Sequence, residues 1–174
     1  MVGIVARLSD VKGHIYLIQA MAKVLQSVPE AQLLIVGEGK IKNELITLAK
    51  KLGIENKIFF VSTVSDTNEV LSVMDLFVMP SLKEGLGLSL IEAMACGQSV
   101  IGSNIGGIKS LIQDGSNGLL VESKDIDGIA GAILTLLASP EKRKFLGDNA
   151  RNFIANNFSL EEMIVKTERV YEEC

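Results

Sequence analysis

Tryptophan is missing from this chain, tyrosine occurs twice and histidine once, and each shortage closes off a chemistry. With aromatics at 5%, few flat side chains are available to stack on bases or sugar rings. The lone histidine, His14, makes a poor metal ligand without cysteine or histidine company, and no nucleophile–base pair is visible around it. Two cysteines, Cys96 in an apolar stretch and Cys174 at the last position, resemble neither a disulfide framework nor a metal site. Basic residues number 17 against 21 acidic ones, a net charge of −4, so the basic face that a nucleic-acid partner requires is lacking. No apolar run comes near the roughly 20 residues of a membrane span, and no charged-then-apolar leader opens the chain. A cytoplasmic setting is expected, with a longer parent protein free to sit peripherally at the inner face of a membrane.

What is present is a chain of 174 residues, 48% apolar, which predicts one domain over 1–174 with a real core. Short β-branched runs alternate with helix-period segments, the pattern of a parallel sheet with crossover helices. Strands are expected at Val2–Ala6, Gln32–Val36, Ile58–Val61, Leu76–Met79, Ser99–Ile101 and Gly118–Val121. Their apolar character on both faces suits strands covered by helices on either side. Helical stripes run through Ile15–Leu25 and Ile41–Leu52, then Thr67–Met74, Ser89–Cys96 and Ile108–Gln113. After the sixth strand only helices follow: Ile126–Leu137, Pro140 to about Asn156, and Leu160 to about Glu173. The fold class is therefore α/β, a Rossmann-like doubly wound parallel sheet of about six strands with a helical C-terminal segment.

Right-handed βα connections bring the loops after the strands to one edge, where α/β sheets bind ligands. Unusual residues gather in those loops: Arg7 to Gly13, Gly37-Glu38-Gly39, Ser62 to Ser65, Pro80 to Ser89 and Ser103 to Gly107. Arg7 and Lys12 could clamp a diphosphate, or stand as two solvated cations. Gly37-Glu38-Gly39 lacks the third glycine of a dinucleotide fingerprint, since Lys42 occupies that place, and reads as a tight turn. Glu84 and Glu92 lie eight positions apart, the first in a glycine-rich loop and the second in an otherwise apolar helix. There a carboxylate pays for desolvation unless it has partners. Ser89-Leu90-Ile91-Glu92 also fits a capping box, so Glu92 is open between a helix cap and a ligand acceptor. Asp125-Ile126-Asp127 resembles a metal-binding pair but precedes an apolar-periodic helix, which favours N-capping.

These motifs, in this order, resemble the C-terminal, donor-binding half of GT-B-type glycosyltransferases, closest to glycosyltransferase family 4 (glycosyl transferases group 1). The resemblance runs through Val5-Ala6-Arg7-Leu8 with Lys12-Gly13, Leu34–Gly39, Ile58–Val61, the two-glutamate block Glu84 to Glu92, Gly106-Gly107 and Asp114–Val121. It implies a retaining transferase that moves a hexose from a UDP-, GDP- or ADP-sugar to a glycan, lipid or small-molecule acceptor. No metal cofactor is implied. Arg7 and Lys12 would hold the diphosphate, joined by the backbone of Gly87, Leu88 and Ser89. Glu84, beside Gly85, would face the sugar near its reacting centre, and Glu92 would accept the ribose hydroxyls. Main chain near Val64 would meet the base, with Gly37 close to the ligand. Glu84, Arg7 and Lys12 are thus the expected catalytic residues. Departures from the family pattern are Gln98-Ser99 for x-Pro, Ser62 for a common glycine, and Lys109-Ser110 for a Pro-Glu pair beside the sugar. The resemblance also implies an acceptor-binding N-terminal domain that this chain does not include, so the piece alone is expected to be inactive. Relatives' final helix returns to that half, and the Met163, Thr167, Val170 and Tyr171 stripe is expected to pack there, on this domain, or on a second copy as a dimer. The alternative reading is a non-catalytic nucleotide-sugar-binding or self-associating module of the same fold.

Overall fold

The alternating apolar runs do form one sheet, and every strand in it is parallel to its neighbours, in the order β3-β2-β1-β4-β5-β6. The computed structural model describes residues 1–158 and 160–172, apart from the side chains of 160–162, 165, 166 and 172; Cys174 and the expected helix end at Glu173 lie outside the described residues. In chain order the elements are β1 (Val2–Val5), α1 (His14–Ser27), β2 (Leu33–Val36), α2 (Lys42–Lys51), β3 (Ile58–Val61), α3 (Thr67–Ser72) and β4 (Leu76–Met79). There follow α4 (Leu88–Ala95), β5 (Val100–Ser103), α5 (Gly106–Leu111), β6 (Leu119–Val121), α6 (Ile126–Ala138), α7 (Pro140–Asn157) and α8 (Leu160–Glu172).

Strand alternation divides the core in two. Ile4, Leu33, Ile35, Leu76 and Val78 face one layer, where they meet Leu17 and Met21 of α1, Leu45 of α2 and Ile133 of α6. Leu34, Val36, Phe77, Met79 and Val100 face the other, against Leu90 and Met94 of α4, Ile108 of α5 and Ile154 of α7. Each such side chain contributes about 1.5–3 kcal/mol through burial, which fixes register as well as stability. Because β1 pairs with both β2 and β4, the strand order reverses between β1 and β4. A doubly wound sheet opens its ligand crevice at that reversal, outside the carboxyl ends of the two strands.

Side chains cap the starts of three helices among the described residues, with Asp66 accepting from the Asn68 N–H at 2.8 Å ahead of α3. Asp125 accepts from the Gly128 N–H at 2.9 Å and caps α6, and Ser139 accepts from the Lys142 N–H at 3.2 Å ahead of Pro140. Of the two readings left open for the Ser89-to-Glu92 stretch, the capping box does not form: Ser89 is no cap. Helix α4 starts at Leu88, its N-cap is Gly87 in the left-handed conformation (φ 77°, ψ 56°), and no side chain caps it. Glu92 is exposed, so the desolvation expected of a carboxylate in an apolar helix is not incurred either. Cys96 closes α4 as its C-cap and is half-buried, with burial pushing its thiol pKa up. Among the described side chains of α8, the expected stripe is open to solvent: Met163, Ile164, Thr167, Val170 and Tyr171 are all exposed. Among the described residues no helix is long and apolar enough to cross a membrane.

Candidate functional site

At the reversal between β1 and β4 lies a cavity of about 770 Å³. Its walls are the loops that the topology brings together. The loop after β1 supplies Arg7, Ser9, Val11 and Lys12; the loop after β2 supplies Gly37 and Glu38; the segment after β3 supplies Thr63 and Val64. The loop after β4 and the first turns of α4 supply Glu84, Gly85, Leu86, Gly87, Leu88, Ser89 and Glu92. All ten residues singled out from the sequence therefore line one space, although they span positions 7 to 92. Ser9, Val11, Glu38, Thr63 and Leu86 line it too, from the loops expected at this edge though with no role of their own assigned, and Thr67 at the start of α3 joins them from outside those loops.

Backbone hydrogen bonds lock these loops to one another. The Leu8 N–H donates to the Glu38 carbonyl at 2.8 Å, and the Leu82 N–H donates to the Val11 carbonyl at 2.7 Å. Gly37 (φ 137°) is needed because a Cβ there would run into the Ala6 carbonyl, so the glycine pair after β2 serves the approach of a neighbouring loop. The Gly106-Gly107 turn does not line the cavity; it braces the wall from behind, with the Gly107 N–H donating to the Glu84 carbonyl at 3.3 Å.

The charges are arranged for an anion beside hydrogen-bonding groups. Lys12 Nζ lies 2.5 Å from Glu84 Oε2, and the two side chains are only 23% and 12% exposed. The Ser81 hydroxyl, fully buried, reaches the same carboxylate oxygen at 3.4 Å. Arg7 and Glu92 are exposed along the wall. At the start of α4 the first helical bonds are those of the Leu90 and Ile91 N–H groups to the Gly87 carbonyl. The N–H groups of Gly87, Leu88 and Ser89 precede them and have no helical carbonyl to bond, which leaves a positive helix end facing the cavity. His14 stands just behind the Lys12 loop, buried, with neither ring nitrogen hydrogen-bonded. Burial, and then the Lys12 charge, lower its pKa to about 4 against a weaker opposing contribution from the Ser9 backbone. It is a neutral core residue, outside the cavity wall.

The family model of the glycosyl transferases group 1 matches residues 1–153. The chain belongs to that family. It is 37% identical over 154 residues to N-acetyl-alpha-D-glucosaminyl L-malate synthase of Bacillus anthracis, covering 88% of this chain and 40% of that protein. Among solved structures it superposes on a TarM mutant of S. aureus in complex with Fondaparinux, alpha-GlcNAc-glycerol and UDP with a TM-score of 0.94 at 28% identity, over 98% of this chain and 35% of the other. It likewise superposes on Anabaena HepE in complex with UDP-glucose with a TM-score of 0.92 at 26% identity, over 99% of this chain and 48% of the other. The glycosyltransferase domain thus spans less than half the length of these relatives.

Proposed function

We propose that this domain is the donor-binding half of a retaining hexosyltransferase, and that the cavity takes a nucleotide-diphospho-sugar. The observation that carries the reading is the convergence of two cations, Arg7 and Lys12, three carboxylates, Glu38, Glu84 and Glu92, and a bare helix start on one cavity at the strand-order reversal. Its volume is of the size that holds a small organic ligand. Arg7 and Lys12 hold the diphosphate, and the N–H groups of Gly87, Leu88 and Ser89 bond the same oxygens. As the sugar–phosphate bond breaks, negative charge grows on the leaving diphosphate, and these fixed donors stabilise it without having to reorganise. Glu84 bonds sugar hydroxyls, Glu92 the ribose hydroxyls, and the backbone at Val64 the base. UDP is the first nucleotide to try, because TarM and HepE were solved with UDP or UDP-glucose.

The acceptor belongs to a second domain of the parent protein, in keeping with the fraction of the relatives that this chain spans. Alone, the domain binds donor and transfers no sugar. Calorimetric titration with UDP, GDP, ADP and UDP-glucose tests the reading. Saturable binding of at least one of them is expected, and no binding of any at millimolar concentration would overturn it.

A further inference from the structure

The Lys12–Glu84 contact, at 2.5 Å and largely shielded from water, joins two groups that the donor-site reading assigns to different parts of one ligand. An ammonium and a carboxylate so placed neutralise each other, and separating them leaves each poorly solvated. The diphosphate needs that ammonium as its counter-ion, so a phosphate entering the cavity meets a Lys12 already taken. We propose that Glu84 is a specificity-determining competitor, occupying the phosphate's place on Lys12 in the empty site and thereby disfavouring bare diphosphates relative to sugar-bearing ones.

The inference rests on the donor-site reading and adds a selectivity to it. When a donor enters, Lys12 turns to phosphate and Glu84 loses its partner. A sugar then supplies O–H donors to the freed carboxylate and offsets the loss. A nucleoside diphosphate supplies none and leaves the Glu84 carboxylate close to like charge. The site is therefore built to hold the spent nucleotide less tightly than competition-free cations would, which favours its departure after transfer.

A double-mutant cycle tests this, with UDP, inorganic pyrophosphate and UDP-glucose titrated into the wild type, Glu84→Gln, Lys12→Ala and the double variant. Glu84→Gln should tighten UDP and pyrophosphate by about tenfold, as an interaction of this kind between touching residues implies. UDP-glucose should gain nothing, and the gain for UDP should vanish in the Lys12→Ala background. Glu84→Ala, read alongside, should move UDP in the same direction. Unchanged or weaker UDP binding in both Glu84 variants would overturn the proposal while leaving the donor site standing. A gain that survives without Lys12 would also overturn it, since simple removal of negative charge would then suffice. If the wild type and the Glu84 variants alike bind none of the three ligands, the donor-site reading fails and this inference fails with it.

Discussion

Arg7 and Glu92 are assigned to different parts of one ligand, and substitution separates them. Arg7→Ala should weaken UDP and pyrophosphate alike by about 1.5–3 kcal/mol, the range for a charged hydrogen bond. Glu92→Gln should weaken UDP and leave pyrophosphate untouched, because only UDP offers ribose hydroxyls. It should also leave the melting temperature unchanged, since Glu92 is exposed and α4 has no side-chain cap to lose. A fall in melting temperature without loss of UDP affinity would return Glu92 to a structural role. His14 gives a pH prediction of known sign. Its imidazole has a pKa of about 4 when folded against an ordinary 6.5, so below neutrality the unfolded chain binds a proton that the folded one refuses. The stability tied to a neutral His14 is fully present above 6.5 and is lost as pH falls towards 4, a change of about 3 kcal/mol. Because both ring nitrogens are unpaired, His14→Leu should be neutral or stabilising at pH 7 and should flatten this slope in urea denaturation.

Elements hold these residues in place, and Gly107 is where element and site meet. A Cβ at Gly107 would run into the Gly85 carbonyl, so Gly107→Ala must push the Glu84-Gly85 loop into the cavity or aside. Overpacking of this kind costs about 1–3 kcal/mol, and it should weaken UDP-glucose more than UDP if Glu84 faces the sugar as proposed. Gly131, inside α6 with open space around it, is the control: Gly131→Ala should raise stability by about 0.5–1 kcal/mol and leave both ligands alone. Equal loss of both ligands in Gly107→Ala would mean that the brace serves the fold only. What could be read in advance follows the same physics. Strands β3 and β4 were legible to the residue, since four consecutive apolar positions between turn residues admit little else. Strand β5 runs on to Ser103, past the expected end at Ile101, because Gly102 and Ser103 look like loop in sequence, yet Gly102 must be small where Ile108 and Ile112 press on the sheet. Helix α4 starts at Leu88 rather than the expected Ser89, because an S-x-x-E spacing says nothing of backbone conformation and a left-handed Gly87 is the N-cap. The turn of 3₁₀ helix at Asp10–Lys12, which aims Lys12, is too short for any periodicity to reveal.

At the scale of the whole molecule, parallel winding turns remote motifs into one cleft, which is why the site could be anticipated from loops named in chain order. The Lys12–Glu84 pair could not, because a contact across 72 positions has no local signature. The face of α8 is the remaining feature that this domain does not explain. Val170 is 61% and Tyr171 79% exposed, whereas a stripe with that spacing ordinarily packs against something. The glycosyltransferase relatives are more than twice as long as this chain, and the acceptor half proposed for the parent protein is the partner we propose for the stripe. Replacing Val170 and Tyr171 by serine together should then change the unfolding free energy of the isolated domain, measured in urea, by no more than about 0.5 kcal/mol, as surface changes do. In the two-domain parent the same pair should cost about 2 kcal/mol or more and lower transfer, because there it empties a packed contact. Sedimentation of the isolated domain separates the remaining case. Self-association that rises with concentration and disappears in the serine variant would assign the stripe to a second copy instead, and marked destabilisation of the isolated domain would mean that α8 folds back onto its own sheet.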